Sequence, residues 1–215
     1  MSPNGPTTDL TNWTRVLDVA SDIVIAGGFT SLTLETLAEA SDLPIDALVE
    51  LFGTVEQVLV VMLNREFSGI YLSMVDHIER DPDGGRLSRI YNYTLAAVYE
   101  RPLARVLYTG DRDVMASIMR SANSFSYVPG VAIRADLIEA MQEAGMVRQD
   151  VDADTVSHML TIFSAGLALT APHDDLDRIV RGMTDLLAQV VDEENIEDTS
   201  PGKAAFFDWA QTLSQ

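Results

Sequence analysis

The sequence contains no cysteine. That removes disulfide frameworks, thiolate metal sites and thiol nucleophiles together, and gives no reason to expect an oxidising compartment. Long apolar runs are missing as well: the longest, Val58 to Leu63, is far short of the roughly 20 residues that span a bilayer. The amino terminus, MSPNGPTTDL, has neither the basic region nor the apolar stretch of a targeting signal, so a soluble, cytoplasmic chain with no membrane partner is expected. Histidine is scarce, and His77, His158 and His173 lie far apart with no His-x-x-x-His or Glu-x-x-His pair. Asp174 and Asp175 beside His173 read as a helix start before they read as a metal site. There is no glycine-rich phosphate loop and no evident nucleophile and base pair, so no metal or cofactor is expected and an enzyme is the least favoured class.

Positive charge is the most telling scarcity. The chain carries a formal charge of −19, which repels nucleic acid and anionic membranes alike. From Met1 to Asn64 the single basic residue, Arg15, stands against Asp9, Asp18, Asp22, Glu35, Glu39, Asp42, Asp46, Glu50 and Glu56, a net of −8. Between Arg80 and Arg134 eight arginines face five acidic residues, a net of +3.

What is present is helical pattern. With 215 residues and 47% apolar content, the chain can bury a small head and a larger body, and the expected class is all-α. Residues 1–8 read as a flexible arm. A first helix from Thr11 to Ala26 places Trp13, Val16, Leu17, Ala20, Ile23 and Val24 on one face, with Trp13 as core. Gly27 and Gly28 stop it, Thr33 caps a second short helix, Asp42 to Pro44 break that one, and a third short helix runs to Phe52 before Gly53 and Thr54 open a long fourth. Two short helices on a tight turn make a helix-turn-helix.

The spacing Gly28-Phe29, Thr33-Leu34, Leu37-Ala38, Leu43, Leu48, Phe52 and Leu59 resembles the head of the TetR family of ligand-controlled transcription repressors. The resemblance covers about fifty residues and implies a helix-turn-helix head at 9–53, a ligand-binding and dimerisation body at 54–195, and a homodimer with a small-molecule effector. The polar positions depart from the family. Its members usually carry Ser or Thr with Lys at the start of the recognition helix, then Gly or Thr, a Tyr, often His or Arg, and a Lys after the Phe. Here the matching residues are Pro44 and Ile45, Asp46 and Ala47, Val49, Glu50 and Leu51, and Val55, with Glu35 at the preceding helix. None of these offers a phosphate a cation. Ile45 and Val49 lie one turn apart on the outer side with Asp46 and Glu50 beside them, the makeup of either packed neighbours or an apolar protein-contact patch with an acidic rim.

Beyond the head, helices are expected at Thr54–Arg80, Leu87–Tyr99, two short stretches either side of Gly110, Val131–Ala144 and Asp154–Ala171, followed by a last body helix after His173. Phe67, Tyr71, Met74, Tyr91, Tyr99, Met115, Met119, His158 and Met159 are ligand-pocket candidates, with Arg101 or Arg105 for an anionic group; plain core is the competing reading. Val156, Leu160, Phe163, Leu167, Leu176, Val180, Met183 and Leu187 form the expected dimer seam, as two helices from each chain can close a four-helix bundle. Asp192 to Asp198 with Ser200-Pro201-Gly202 reads as a linker (196–202), and 203–215 as a short amphipathic helix that must dock to persist.

Two functions compete. One is a ligand-controlled repressor that binds operator DNA through residues 33–55. The other, favoured by the electrostatics, is a regulator that acts by protein contacts as an antirepressor or acidic decoy, with a basic protein such as another regulator as partner and DNA binding weak or lost.

Overall fold

A computed structural model describes residues 6–109, 133–170 and 173–212. The expected helix after Gly110, the loop at 123–130, Met115 and Met119 lie outside the described residues. The helices are α1 (Pro6–Gly27), α2 (Leu34–Ser41), α3 (Ile45–Phe52), α4 (Val55–Arg80), α5 (Leu87–Tyr99), α6 (Pro102–Thr109), α7 (Ala135–Glu143), α8 (Ala153–Thr170), α9 (Leu176–Val190) and α10 (Ser200–Thr212). The described residues are all-helical apart from turns, loops and one isolated bridge between Val147 and Asp192. They divide into two compact units: the first runs to Glu66 and resumes at Pro102, and the second takes Phe67–Arg101 and the described residues from 133 onward.

In the first unit the punctuation of the sequence does its expected work. Gly28 at φ 77° ends α1, and a short 3-10 turn, Phe29–Ser31, follows. Thr33 then caps α2 with a reciprocal box: its hydroxyl accepts from the Thr36 amide at 3.1 Å, and the Thr36 hydroxyl accepts from the Thr33 amide at 2.9 Å. Asp42, left-handed at φ 54°, turns the chain toward α3. Val16, Ala20, Val24, Leu37 and Leu48 are fully buried, each contributing roughly 1.5–3 kcal/mol for its larger members. Trp13 stacks on Phe52 with centroids 4.7 Å apart and is half-buried at the edge of this core. Arg65 ties α4 to α1 through Asp18 at 2.7 Å. The first helix starts at Pro6, earlier than the apolar period indicates, because a proline suits a first turn and the polar Thr7, Thr8 and Asp9 leave no periodic trace.

In the second unit α5 is the centre, with Leu87, Ile90, Tyr91, Leu95 and Val98 buried; α9 packs along it, and α7 packs on α8 and α10. By length and composition α4 could cross a bilayer, yet Val58, Met62, Leu63, Ile70, Met74 and Ile78 are buried against protein. The carboxy-terminal region departs most from the sequence reading. Ser200-Pro201-Gly202 is the first turn of α10, not a linker turn, and Asp192, first of the acidic run, has no solvent exposure. A run of acids looks solvated in sequence; here its first member caps a distant helix.

Candidate functional site

The outer face of the helix-turn-helix is built from α2 and α3. Pro44 precedes α3 in an extended conformation and gives it no side-chain cap, while Leu48 and Phe52 point inward and are buried. The period of 3.6 then turns the intervening positions outward: Ile45 is 41% exposed and Val49 44%, with Asp46, Glu50, Glu35 and Pro44 also exposed and Leu51 and Val55 half-buried. Two large apolar side chains therefore stand in water one turn apart, flanked by carboxylates. The alternative, that some of the apolar side chains on this face tuck against neighbouring helices, fits the half-buried Leu51 and Val55 better than the exposed Ile45 and Val49.

The charge of this face is firmly negative. Backbone hydrogen bonding at its own amide, with help from the Thr33 hydroxyl, holds the Glu35 pKa below the usual range at the start of α2. Glu56 is held low in the same way by its own amide and the Thr54 hydroxyl at the start of α4. Among the described residues from 6 to 54, Arg15 on α1 is the sole cation. Such a face offers no lysine or arginine to a phosphate from α2 or α3.

Exposed apolar side chains also stand on α8 and on α9. Met159 (53%), Ile162 (71%), Leu186 (50%) and Val190 (54%) stand out, with Ile179 beside them. Along α9 the sequence Ile179, Met183, Leu186, Val190 steps by four, three and four, which is the seam of a helix that packs on another. Of the stripe expected from sequence, half faces inward: Val156, Leu160, Leu167 and Leu187 are buried within the second unit, while Phe163, Leu176, Val180 and Met183 are half-buried and remain partly open.

No protein-family model matches the sequence, and no curated protein matches it. Solved structures do. The TetR family protein CprB from S. coelicolor A3(2) superposes with a TM-score of 0.61 at 19% identity, covering 95% of this chain and 98% of that one. The ketosteroid transcriptional regulator KstR2 of Mycobacterium tuberculosis gives 0.60 at 16% identity over 85% of this chain and 95% of its own. A gamma-butyrolactone receptor, described as ArpA-like, gives 0.59 at 17% over 97% and 98%. The chain has the TetR-family fold.

Within that TetR fold the pocket candidates do not form one group. Met74 and Tyr91 are buried, and Phe67, Tyr71, Tyr99 and Arg101 are half-buried in the second unit. His158 and Met159 are exposed on α8, and Arg105 belongs to the first unit and is exposed. Tyr91 is committed to packing: its hydroxyl meets the Ser164 hydroxyl at 2.8 Å and donates to the Leu160 carbonyl at 3.2 Å, and burial pushes its pKa to about 12. Arg101 lays its guanidinium over Gly69, where any Cβ would collide with it. A groove of about 480 Å³ runs between α5 and α9, lined by Arg89, Asn92, Ala96, Tyr99, Leu176, Val180, Arg181 and Thr184 among others. Sequence reasoning named only Tyr99 from its α5 wall; the signal it passed over was the polar set Arg89, Asn92 and Tyr99 beside the apolar stripe. Among the described residues no cluster of three metal-ligating side chains occurs, and His77 and His173 are spent on the Ser73 and Leu167 carbonyls at 2.7 and 2.8 Å.

Proposed function

We propose that this chain is a transcription regulator of the TetR type that works as a homodimer through protein contacts at its helix-turn-helix, as an antirepressor or acidic decoy, with operator binding weak or lost. The observation that carries the reading is the face of α3: exposed Ile45 and Val49 bordered by Asp46 and Glu50, with one cation in the described residues up to 54. Protein–DNA affinity draws heavily on neutralised phosphates, each contributing about 0.9 to the logarithmic salt slope. Groups at contact are not screened by a Debye length of about 8 Å, so carboxylates facing phosphates repel. A basic, partly apolar protein surface complements the same face, and the positively charged head of another regulator has that chemistry.

The dimer is proposed through the exposed seam on α8 and α9, which a second copy buries in a four-helix arrangement. A small-molecule effector belongs in the second unit, where the α5–α9 groove and the half-buried Phe67, Tyr71 and Tyr99 are available. The other reading, an operator-binding repressor, is supported by the fold it shares with the regulators named above. Calorimetric titration with purified basic helix-turn-helix domains tests the first reading. Binding that weakens with salt and is abolished by Ile45→Asp with Val49→Asp is expected, whereas binding untouched by that double change rules out the α3 face as the contact.

A further inference from the structure

The corner that joins α4 to α5 is capped from 104 to 124 residues away in sequence. Arg86, at the N-cap position of α5, gives that helix no side-chain cap. Asp192 supplies it, its carboxylate accepting from the Ser88 amide at 3.3 Å and the Ser88 hydroxyl at 2.5 Å. At the end of α4, Lys203 Nζ donates to the carbonyls of Glu79 at 3.2 Å and Asp81 at 2.6 Å, in the region where a helix leaves its last carbonyls open. Between these two points the Thr199 hydroxyl donates to the Pro82 carbonyl, and the Arg86 guanidinium donates to the carbonyls of Glu193 and Ile196 at 3.4 Å each. Gly85 and Gly202 bring the two backbones together: a Cβ on Gly85 would overlap the Thr199 carbonyl, and one on Gly202 the Gly85 carbonyl. Lys203 is the only lysine in the chain.

We infer that the segment from Asp192 through α10 is a detachable latch on the α4–α5 corner, with Lys203 as the positioning residue that keeps it docked. A helix of 13 residues is marginal alone, so α10 exists by docking, through Phe206 and Trp209 on its buried face and the polar contacts to the corner. Detachment removes the caps of two helix ends at once and leaves the α8 packing in place, which makes it an opening of part of the unit and not of the whole. Because α4 is the helix that both units share, the order of its last turn follows the state of the latch. A modification or a partner that engages the Lys203 amine releases the corner.

A single lysine makes the test clean. The full chain is acetylated with an amine-reactive ester, and amide hydrogen exchange is followed by mass spectrometry. Lys203→Arg, treated in the same way and modified only at the amino terminus, is the control. In the acetylated protein the amides from 81 to 90 and from 203 to 209 are expected to exchange at least about tenfold faster than in the control, with α8 unchanged. Lys203→Met should repeat the effect and Lys203→Arg should retain protection. Unchanged exchange at the corner overturns the inference, and so does equal loss of protection in every helix, because then Lys203 supports the fold as a whole and no separate latch exists.

Discussion

Replacing Asp192 by alanine should uncap α5 from across the second unit. Both acceptor oxygens are lost from a site without solvent exposure, leaving the Ser88 amide and hydroxyl unpaired. Hydrogen bonds to a charged group contribute about 1.5–3 kcal/mol each, and the bond to the amide is long at 3.3 Å, so its share is small. The burial of the carboxylate offsets part of the sum, leaving a net loss of about 2–3 kcal/mol. For a chain of this size each kcal/mol lowers Tm by about 2–4 °C, so the alanine variant should melt about 4–12 °C lower. Asp192→Asn keeps an acceptor for the amide, and the Ser88 hydroxyl can turn to accept from the new amide, so its cost is small. The pH dependence separates the asparagine variant from the parent. Burial raises the Asp192 pKa despite the Ser88 hydrogen bonds and the Arg86 charge. A carboxyl so shifted supports the fold fully below its unfolded pKa of about 3.9 and loses that contribution as pH rises through the folded value. The asparagine variant does not titrate there, so its Tm relative to the unmodified chain should improve as pH is raised from about 4 to about 7. Calorimetric melts at several pH values decide this; an alanine variant within about 1 °C of the parent, or an asparagine difference that moves the other way, refutes the cap.

Thr33→Ala breaks the capping box of α2 and should cost about 1 kcal/mol in denaturant unfolding, with no change in m. Ile45→Asp with Val49→Asp should leave stability within about 0.5 kcal/mol, because both side chains already stand in water; a larger loss by chemical denaturation means they are packed. Leu186→Asp with Val190→Asp should turn the proposed dimer into a monomer or an aggregate by light scattering, and an unchanged dimer excludes the α9 seam.

Turn chemistry made the helix-turn-helix legible. Gly28, Thr33, Asp42 and Gly53 act locally, so their identities place the C-terminal end of α1, both ends of α2 and the C-terminal end of α3, and α5 spans the expected Leu87–Tyr99. What stayed hidden depends on distant partners. Nothing beside Asp192 in sequence indicates that Ser88 will meet it, and nothing beside Lys203 indicates the end of α4. Which stripe of α9 is buried was only half legible. The helix is apolar on two adjoining stripes, and periodicity counts apolar residues without saying which stripe faces α5; the structure buries Leu187 and exposes Leu186 and Val190. On α3 the period sets Leu48 and Phe52 inward and Ile45 and Val49 on the outer side, yet leaves open whether those two pack on neighbours; the structure leaves them 41% and 44% exposed.

The central claim, that the α3 face has exchanged duplex DNA for protein, meets its most direct test in a titration of the unmodified protein against genomic duplex fragments. The titration belongs at low salt, about 50 mM, where even weak phosphate contacts gain strongly. No sequence-specific retention is expected, and Asp46→Lys with Glu50→Lys should introduce salt-sensitive duplex binding that the parent lacks. Sequence-specific retention by the parent, lost on Ile45→Asp, would contradict the claim and restore an operator-binding repressor.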